Sequence, residues 1–153
     1  MASQQLRIFP HSPDEFPTED SLRTWLLTAL PGRGGVYHLR DVDAVKSIPP
    51  GSVVLFRYGN RIVGDAIVWK DKEVLPQGFK DRTLTGEVTE YEAKVTFGPS
   101  TIRLYAPPVS VERLQPHMDH KDVVKFPGAY THLDWALYGI VLQEVISSGT
   151  FIT

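Results

Sequence analysis

Apolar residues recur along this chain with two different periods, and the changes of period mark out its elements. Leu22, Trp25, Leu26 and Ala29 follow three- and four-residue spacing, which lines them up on one face of a helix. Thr18 or Asp20 can cap that helix, Glu19 and Asp20 give its first turn acidic character, and Pro31-Gly32 stops it. The residues before it, 1–17, carry Pro10, Pro13 and Pro17 without sustained periodicity and read as an extended N-terminal arm. Residues 18–153 then form a single domain.

Beyond the Gly32-Arg33-Gly34-Gly35 joint the period shortens. Val36 to Arg40 predicts a short strand, and Asp41 to Lys46 predicts one or two helical turns that end at Pro49-Pro50-Gly51. Ser52 to Tyr58 and Arg61 to Trp69 are β-rich runs joined at Gly59-Asn60, a strong hairpin signal. Both runs are apolar on both faces, so this hairpin is expected to be central. Lys70 to Glu90 reads as a long polar connection. Tyr91 to Phe97 alternates cleanly, and a turn at Gly98-Pro99-Ser100 leads into Thr101 to Tyr105 as a second hairpin, terminated by Pro107-Pro108. Val109 to Leu114 predicts one more short element. Near the C-terminus, Tyr130 to Ile146 has β-rich composition, yet Leu133, Leu137, Ile140, Val141 and Val145 keep helical spacing, Thr131 with Asp134 resembles a capping box and Gly149 follows as a stop, so a helix is favoured over a strand. This order implies an α+β fold, a small bent antiparallel β-barrel with flanking helices.

The absence of cysteine excludes disulfide scaffolds, thiol enzymes and cysteine-ligated metal sites. No apolar run is long enough to span a membrane and the first residues lack a signal-peptide layout, so a cytoplasmic protein is expected. The net charge of −2 implies no partner by itself, but Arg33 to Arg82 holds nine basic residues against six acidic ones. A local basic face on a near-neutral chain suits contact with a short stretch of polyanion.

Signals for catalysis are poor: there is no nucleophile elbow, phosphate loop or dinucleotide fingerprint. No catalytic residue, metal or cofactor is expected, and the chain is not expected to be an enzyme by itself. His117, Asp119 and His120 are the one cluster with metal or acid-base character, and beside Pro116 they read as a solvated loop. His38 reads either as a structural histidine or as a ligand contact. Asp65 lies in an apolar strand with Val63, Ile67 and Trp69 by alternation, so Arg57 or a backbone amide must satisfy it unless it faces a pocket. Tyr37, Phe56, Tyr58 and Trp69 concentrate on the same strands. By composition they suit an ordinary barrel core first, and as the alternative a wall on which an extruded base is stacked and read by its polar edge.

Gly35-Val36-Tyr37-His38-Leu39-Arg40, the run from Pro49-Pro50-Gly51 to Tyr58, and Ile62-Val63-Gly64-Asp65-Ala66-Ile67-Val68 together carry a family resemblance. The chain resembles the PUA-like superfamily, especially its EVE-type modified-base-reading domains, related to YTH, ASCH and SRA domains and found in modification-dependent restriction endonucleases. The match is strongest over residues 33–70. The resemblance implies a pocket that accepts a flipped, methylated or hydroxymethylated base. Carried over, it implies a base-binding set of Tyr37, Arg40, Asp41, Phe56, Tyr58, Asp65 and Trp69. Arg33, Arg57, Arg61, Lys70 and Arg82 would grip phosphates. The partner implied is DNA with a modified base, with a fused or associated nuclease domain. An RNA-binding PUA-like module and a barrel that binds or transforms a small molecule are the other readings.

Overall fold

The computed structural model describes residues 3–40, 47–117 and 132–153. Ten strands and four helices follow one another along these segments. Strand β1 (Leu6–His11) comes first, then helix α1 (Glu19–Leu27), the single turn α2 (Ala29–Gly32), and strand β2 (Val36–Leu39). The hairpin of β3 (Val53–Tyr58) and β4 (Arg61–Val74) turns at Gly59-Asn60 as expected. A small hairpin of β5 (Lys80–Arg82) and β6 (Val88–Glu90) precedes β7 (Ala93–Phe97) and β8 (Arg103–Ser110). The chain closes with α3 (Val111–Leu114), β9 (His132–Leu133), α4 (Trp135–Ser148) and β10 (Thr150–Ile152).

The main sheet runs β10-β8-β4-β3-β1-β9, and β7 branches from β4 to carry β2. The α+β class holds, but among the described residues the strands form an open, branched sheet rather than a closed barrel. It is also not wholly antiparallel, because β1 pairs parallel to β3 from Leu6 opposite Val53 to His11 opposite Tyr58. The expected N-terminal arm is therefore an interior strand. Leu6, Ile8, Phe9 and His11 are all buried.

Both faces of β1, β3 and the first half of β4 are covered, which is why apolar residues occupy both faces there, whereas β4 beyond Val68 is charged and largely exposed. On one face Leu6, Ile8, Val53 and Leu55 pack with Leu137, Val141 and Val145 of α4. On the other, Phe9, Val54 and Phe56 pack with Leu22 and Leu26 of α1 and with Val95 and Phe97 of β7. Helix α1 starts at a capping box in which the Ser21 amide donates to Thr18 Oγ1 and the Thr18 amide donates to Ser21 Oγ, each over 3.1 Å. Asp134 caps α4 by accepting from the Ala136 amide at 2.9 Å. Thr131 and the expected short helix at 41–46 lie outside the described residues.

The expected second hairpin does not form. Strands β7 and β8 lie along successive parts of one edge of β4: residues 61–65 pair with β8, and residues 68–74 pair with β7. Pro107 and Pro108 do not end β8, since they fall in the register shift between its two paired stretches, where a proline forfeits no ladder bond. The close approach there requires Gly64, because a Cβ at that position would collide with the Arg103 carbonyl oxygen.

Candidate functional site

Among the described residues strand β2 is bonded only to β7, and the polypeptide on either side of it builds a cleft. Helix α1 contributes Trp25, the turn after β1 contributes Glu15 and Phe16, and the β5–β6 hairpin contributes Asp81, Arg82, Thr83 and Leu84. Tyr37, His38, Arg33 and Tyr91 complete the lining of a cavity of about 100 Å³. That is far more than the roughly 10–15 Å³ one water needs, and below the roughly 300–1,000 Å³ of sites for drug-sized ligands. Its size is that of a single planar base.

One side of the cavity is aromatic. Trp25 packs edge-on to Tyr37 at 6.0 Å and to Phe16 at 5.5 Å between centroids. Tyr37 is held from behind by Phe9 at 5.2 Å and Phe56 at 6.4 Å. Its hydroxyl donates to Nε2 of His11 at 2.7 Å, and Nδ1 of His11 donates to the Arg57 carbonyl at 3.2 Å. Both nitrogens of this buried imidazole are thus satisfied in the neutral form. Burial pushes the His11 pKa down to about 4 against the opposing pull of the Arg57 and Phe9 backbone. The ring of Tyr37 is therefore fixed before any ligand arrives.

The other side is polar. Arg33 Nη2 stands 3.0 Å from Nδ1 and 3.3 Å from Nε2 of His38, which places the cation against the ring face rather than on one lone pair. The same nitrogen reaches Asp81 Oδ2 at 3.2 Å, and His38 Nδ1 lies 3.2 Å from that oxygen. Burial and the Arg33 charge lower the His38 pKa, with Asp81 pulling the other way, so the neutral ring prevails near pH 7. In that state Nδ1–H donates to Asp81 and Nε2 remains an acceptor. Burial alone would raise Asp81, but the Arg82 amide and the Arg33 guanidinium outweigh it and hold its carboxyl below the ordinary range. Phe79 and Tyr91 flank the His38 ring at 4.9 and 5.3 Å. Glu15 is the second carboxylate at the cavity. Burial raises its pKa, opposed by Arg40, whose guanidinium lies 3.8 Å away.

The expected base-binding set does not converge here. Tyr37 lines the cavity, Arg40 reaches its edge through Glu15, and Asp41 lies outside the described residues. Phe56 is fully buried behind Tyr37, and the Tyr58 hydroxyl is spent on the Phe16 carbonyl at 2.8 Å. Trp69 projects from the far part of β4 and is 64% exposed. Asp65 faces the α4 side of the sheet, away from Val63, because the register shift beside Gly64 reverses the alternation. There it accepts from Arg103 Nε at 2.8 Å, Tyr105 at 2.6 Å and Tyr138 at 2.9 Å. Its partner is Arg103, not Arg57. Burial followed by the Asp65 charge raises both phenols, Tyr138 to about 12.

Of the expected phosphate contacts, Arg33 and Arg82 line the cavity. Arg61 is paired with Glu19 at 2.9 Å, and Arg57 Nε donates to the Gly59 carbonyl at 2.6 Å. Lys70 lies beside Trp69. Phe16, Trp25, Asp81 and Tyr91 are not legible as site residues, since Trp25 reads as one more apolar helix position, Tyr91 as one more inward position of an alternating strand, and Phe16 and Asp81 lie in segments without periodicity. Asp119 and His120 lie outside the described residues, and among the described residues no group of three or more His, Asp or Glu side chains is placed to share a metal ion.

No protein-family model matches the chain. No curated protein matches it either. Among solved structures, the protein Atu2648 from Agrobacterium tumefaciens is similar with a TM-score of 0.54 at 14% identity, over 92% of each chain. The YTH domain of the Zygosaccharomyces rouxii MRB1 protein, solved in complex with N6-methyladenosine RNA, is similar with a TM-score of 0.52 at 12% identity, over 95% of this chain and 91% of that one. The chain therefore shares the fold of a YTH domain, the coarser form of the resemblance read from the sequence.

Proposed function

We propose that the cavity beside β2 receives a single modified base, methylated or hydroxymethylated, turned out of a nucleic-acid strand. The observation that carries this reading is the meeting of two kinds of wall in a space the size of one base: Trp25, Phe16 and Tyr37 on one side, Arg33, His38 and Asp81 on the other. Aromatic faces hold any base by stacking, while a fixed donor and acceptor set reads its edge. The Arg33–His38–Asp81 contacts hold that set in place before binding, so little ordering cost falls on the complex. In this reading the chain binds and does not catalyse.

A DNA target, with the chain acting as the recognition module of a restriction system beside a fused or associated nuclease, is the finer form drawn from the sequence resemblance. An RNA target is favoured by a different observation, the fold shared with a YTH domain that was solved with N6-methyladenosine RNA. Fluorescence-anisotropy titration with matched oligonucleotides separates them. The set comprises DNA duplexes carrying cytosine, 5-methylcytosine, 5-hydroxymethylcytosine, adenine or N6-methyladenine, and single-stranded RNA with adenosine or N6-methyladenosine. Tighter binding of one modified strand than of its plain counterpart supports the reading and names the base. Equal binding across every pair refutes it.

A further inference from the structure

Outside the cavity, the feature that the fold holds most deliberately is the indole of Trp69. Strand β4 pairs Val68 with Phe97 and Lys70 with Thr96, and the register shifts between them, so Trp69 sits on a β-bulge. A bulge re-aims the side chain it carries and costs ladder pairing, and here it turns a tryptophan outward to 64% exposure. The ring is seated rather than loose: a Cβ on Gly98 would stand 3.2 Å from Trp69 Cε3, so the absence of a side chain there leaves the indole its bed. The turn beneath it is pinned by Thr101 Oγ1, which accepts from the Ile67 amide at 2.9 Å and donates to the Gly98 carbonyl at 2.7 Å.

Trp69 and Lys70 form a shallow depression with Gly34, Thr96, Phe97 and Pro99. Gly34 is the chain neighbour of Arg33, which lines the main cavity, so the depression and the cavity draw on one turn of the chain. The Gly34-Gly35 turn is held down on β7, since both residues have positive φ and a Cβ on Gly35 would collide with the Phe97 carbonyl oxygen. Lys70 is exposed and makes no ion pair among the described residues. An outward-facing aromatic platform with an adjoining cation, packed beside the turn that carries Arg33 to the cavity, has the chemistry of a stacking step for a strand of nucleic acid.

Resting on the proposed base-reading role of the cavity, we infer that the Trp69 shelf takes the base flanking the one that enters the cavity, with Lys70 facing the connecting phosphate. The shelf adds affinity without selecting the modification. It also explains why an exposed tryptophan, and a lysine with no ion pair among the described residues, adjoin the turn that carries Arg33.

The test is a cycle of protein and strand changes, read by anisotropy with the full chain. Wild type, Trp69→Ala and Trp69→Phe are titrated with short single strands carrying the modified or the plain base, each made with normal or abasic flanking positions. The inference expects Trp69→Ala to weaken binding of intact strands by roughly 5- to 150-fold. Strands with abasic flanks should lose almost nothing, and the modified-to-plain ratio should stay at its wild-type value. Trp69→Phe should recover most of the loss. An unchanged affinity for intact strands, an equal loss on intact and abasic strands, or a change in oligomeric state by sedimentation in place of a binding loss would overturn the shelf while leaving the cavity reading intact. A wild-type modified-to-plain ratio of one would overturn the cavity reading and this inference with it.

Discussion

The hydroxyl of Tyr37 donates to Nε2 of His11 over 2.7 Å, tying the ring that floors the cavity to a strand buried in the middle of the sheet. The bond links folding to binding, since it fixes a cavity wall from inside the core. Tyr37→Phe should keep the aromatic face but leave a buried imidazole nitrogen without its donor, costing about 1–3 kcal/mol. Urea denaturation should report that loss while preference for a modified strand survives. Tyr37→Ala should lose both.

His11 also sets a pH dependence. Its folded pKa, about 4, lies below its ordinary value of 6.5, so the unfolded chain takes up a proton that the folded chain refuses. Stability is full above about pH 6.5 and falls as the pH drops toward 4, by on the order of 3 kcal/mol. His38, whose pKa is also lowered, contributes in the same direction. Denaturation midpoints between pH 4 and 7 should show a slope that is distinctly shallower in His11→Phe. An identical slope in wild type and variant would remove His11 as its source.

Asp65 anchors the opposite face of the sheet, 2% exposed and bonded to Arg103, Tyr105 and Tyr138. Asp65→Ala strands a guanidinium and a buried phenol without their acceptor, and should destabilise the fold by roughly 3–5 kcal/mol. Titration at a temperature where the variant is still folded should give the wild-type modified-to-plain ratio. A lost ratio would return Asp65 to the binding site.

Gly64 carries the crossing of β4 and β8. Gly64→Ala drives a Cβ into the Arg103 carbonyl, which also displaces Arg103 from Asp65. Thermal unfolding should show a loss of about 1–3 kcal/mol, the scale of overpacking in a filled interior. A midpoint equal to wild type would mean that β8 stands off from β4.

Much of the fold was legible because its periods are strong. The α1 face, the β3–β4 hairpin at Gly59-Asn60 and the spacing of Leu137, Val141 and Val145 on α4 each carry a local signal that tertiary structure has no reason to override. Strand β1 was not legible, since its pairing is parallel and remote in sequence and Pro10 and Pro13 suggest an irregular segment. The β5–β6 hairpin is mostly exposed and has no alternation to read, yet it supplies Asp81 and Leu84 to the cavity. The side of the sheet on which Asp65 falls was set by a register shift, and no period in the sequence announces one. Tyr37, Arg33 and Arg82 are legible from residue type and position, whereas Phe16, Trp25 and Asp81 come to the cavity through packing that depends on long-range contacts.

The most direct test of the account pairs one oligonucleotide bearing the preferred modified base with its plain counterpart, titrated against wild type, Trp25→Ala and His38→Ala. Loss of one stacking face should cost roughly 5- to 150-fold on the modified strand, and loss of either wall should bring the modified-to-plain ratio toward one. Should both variants retain the wild-type ratio, the cavity beside β2 is not where the base is read.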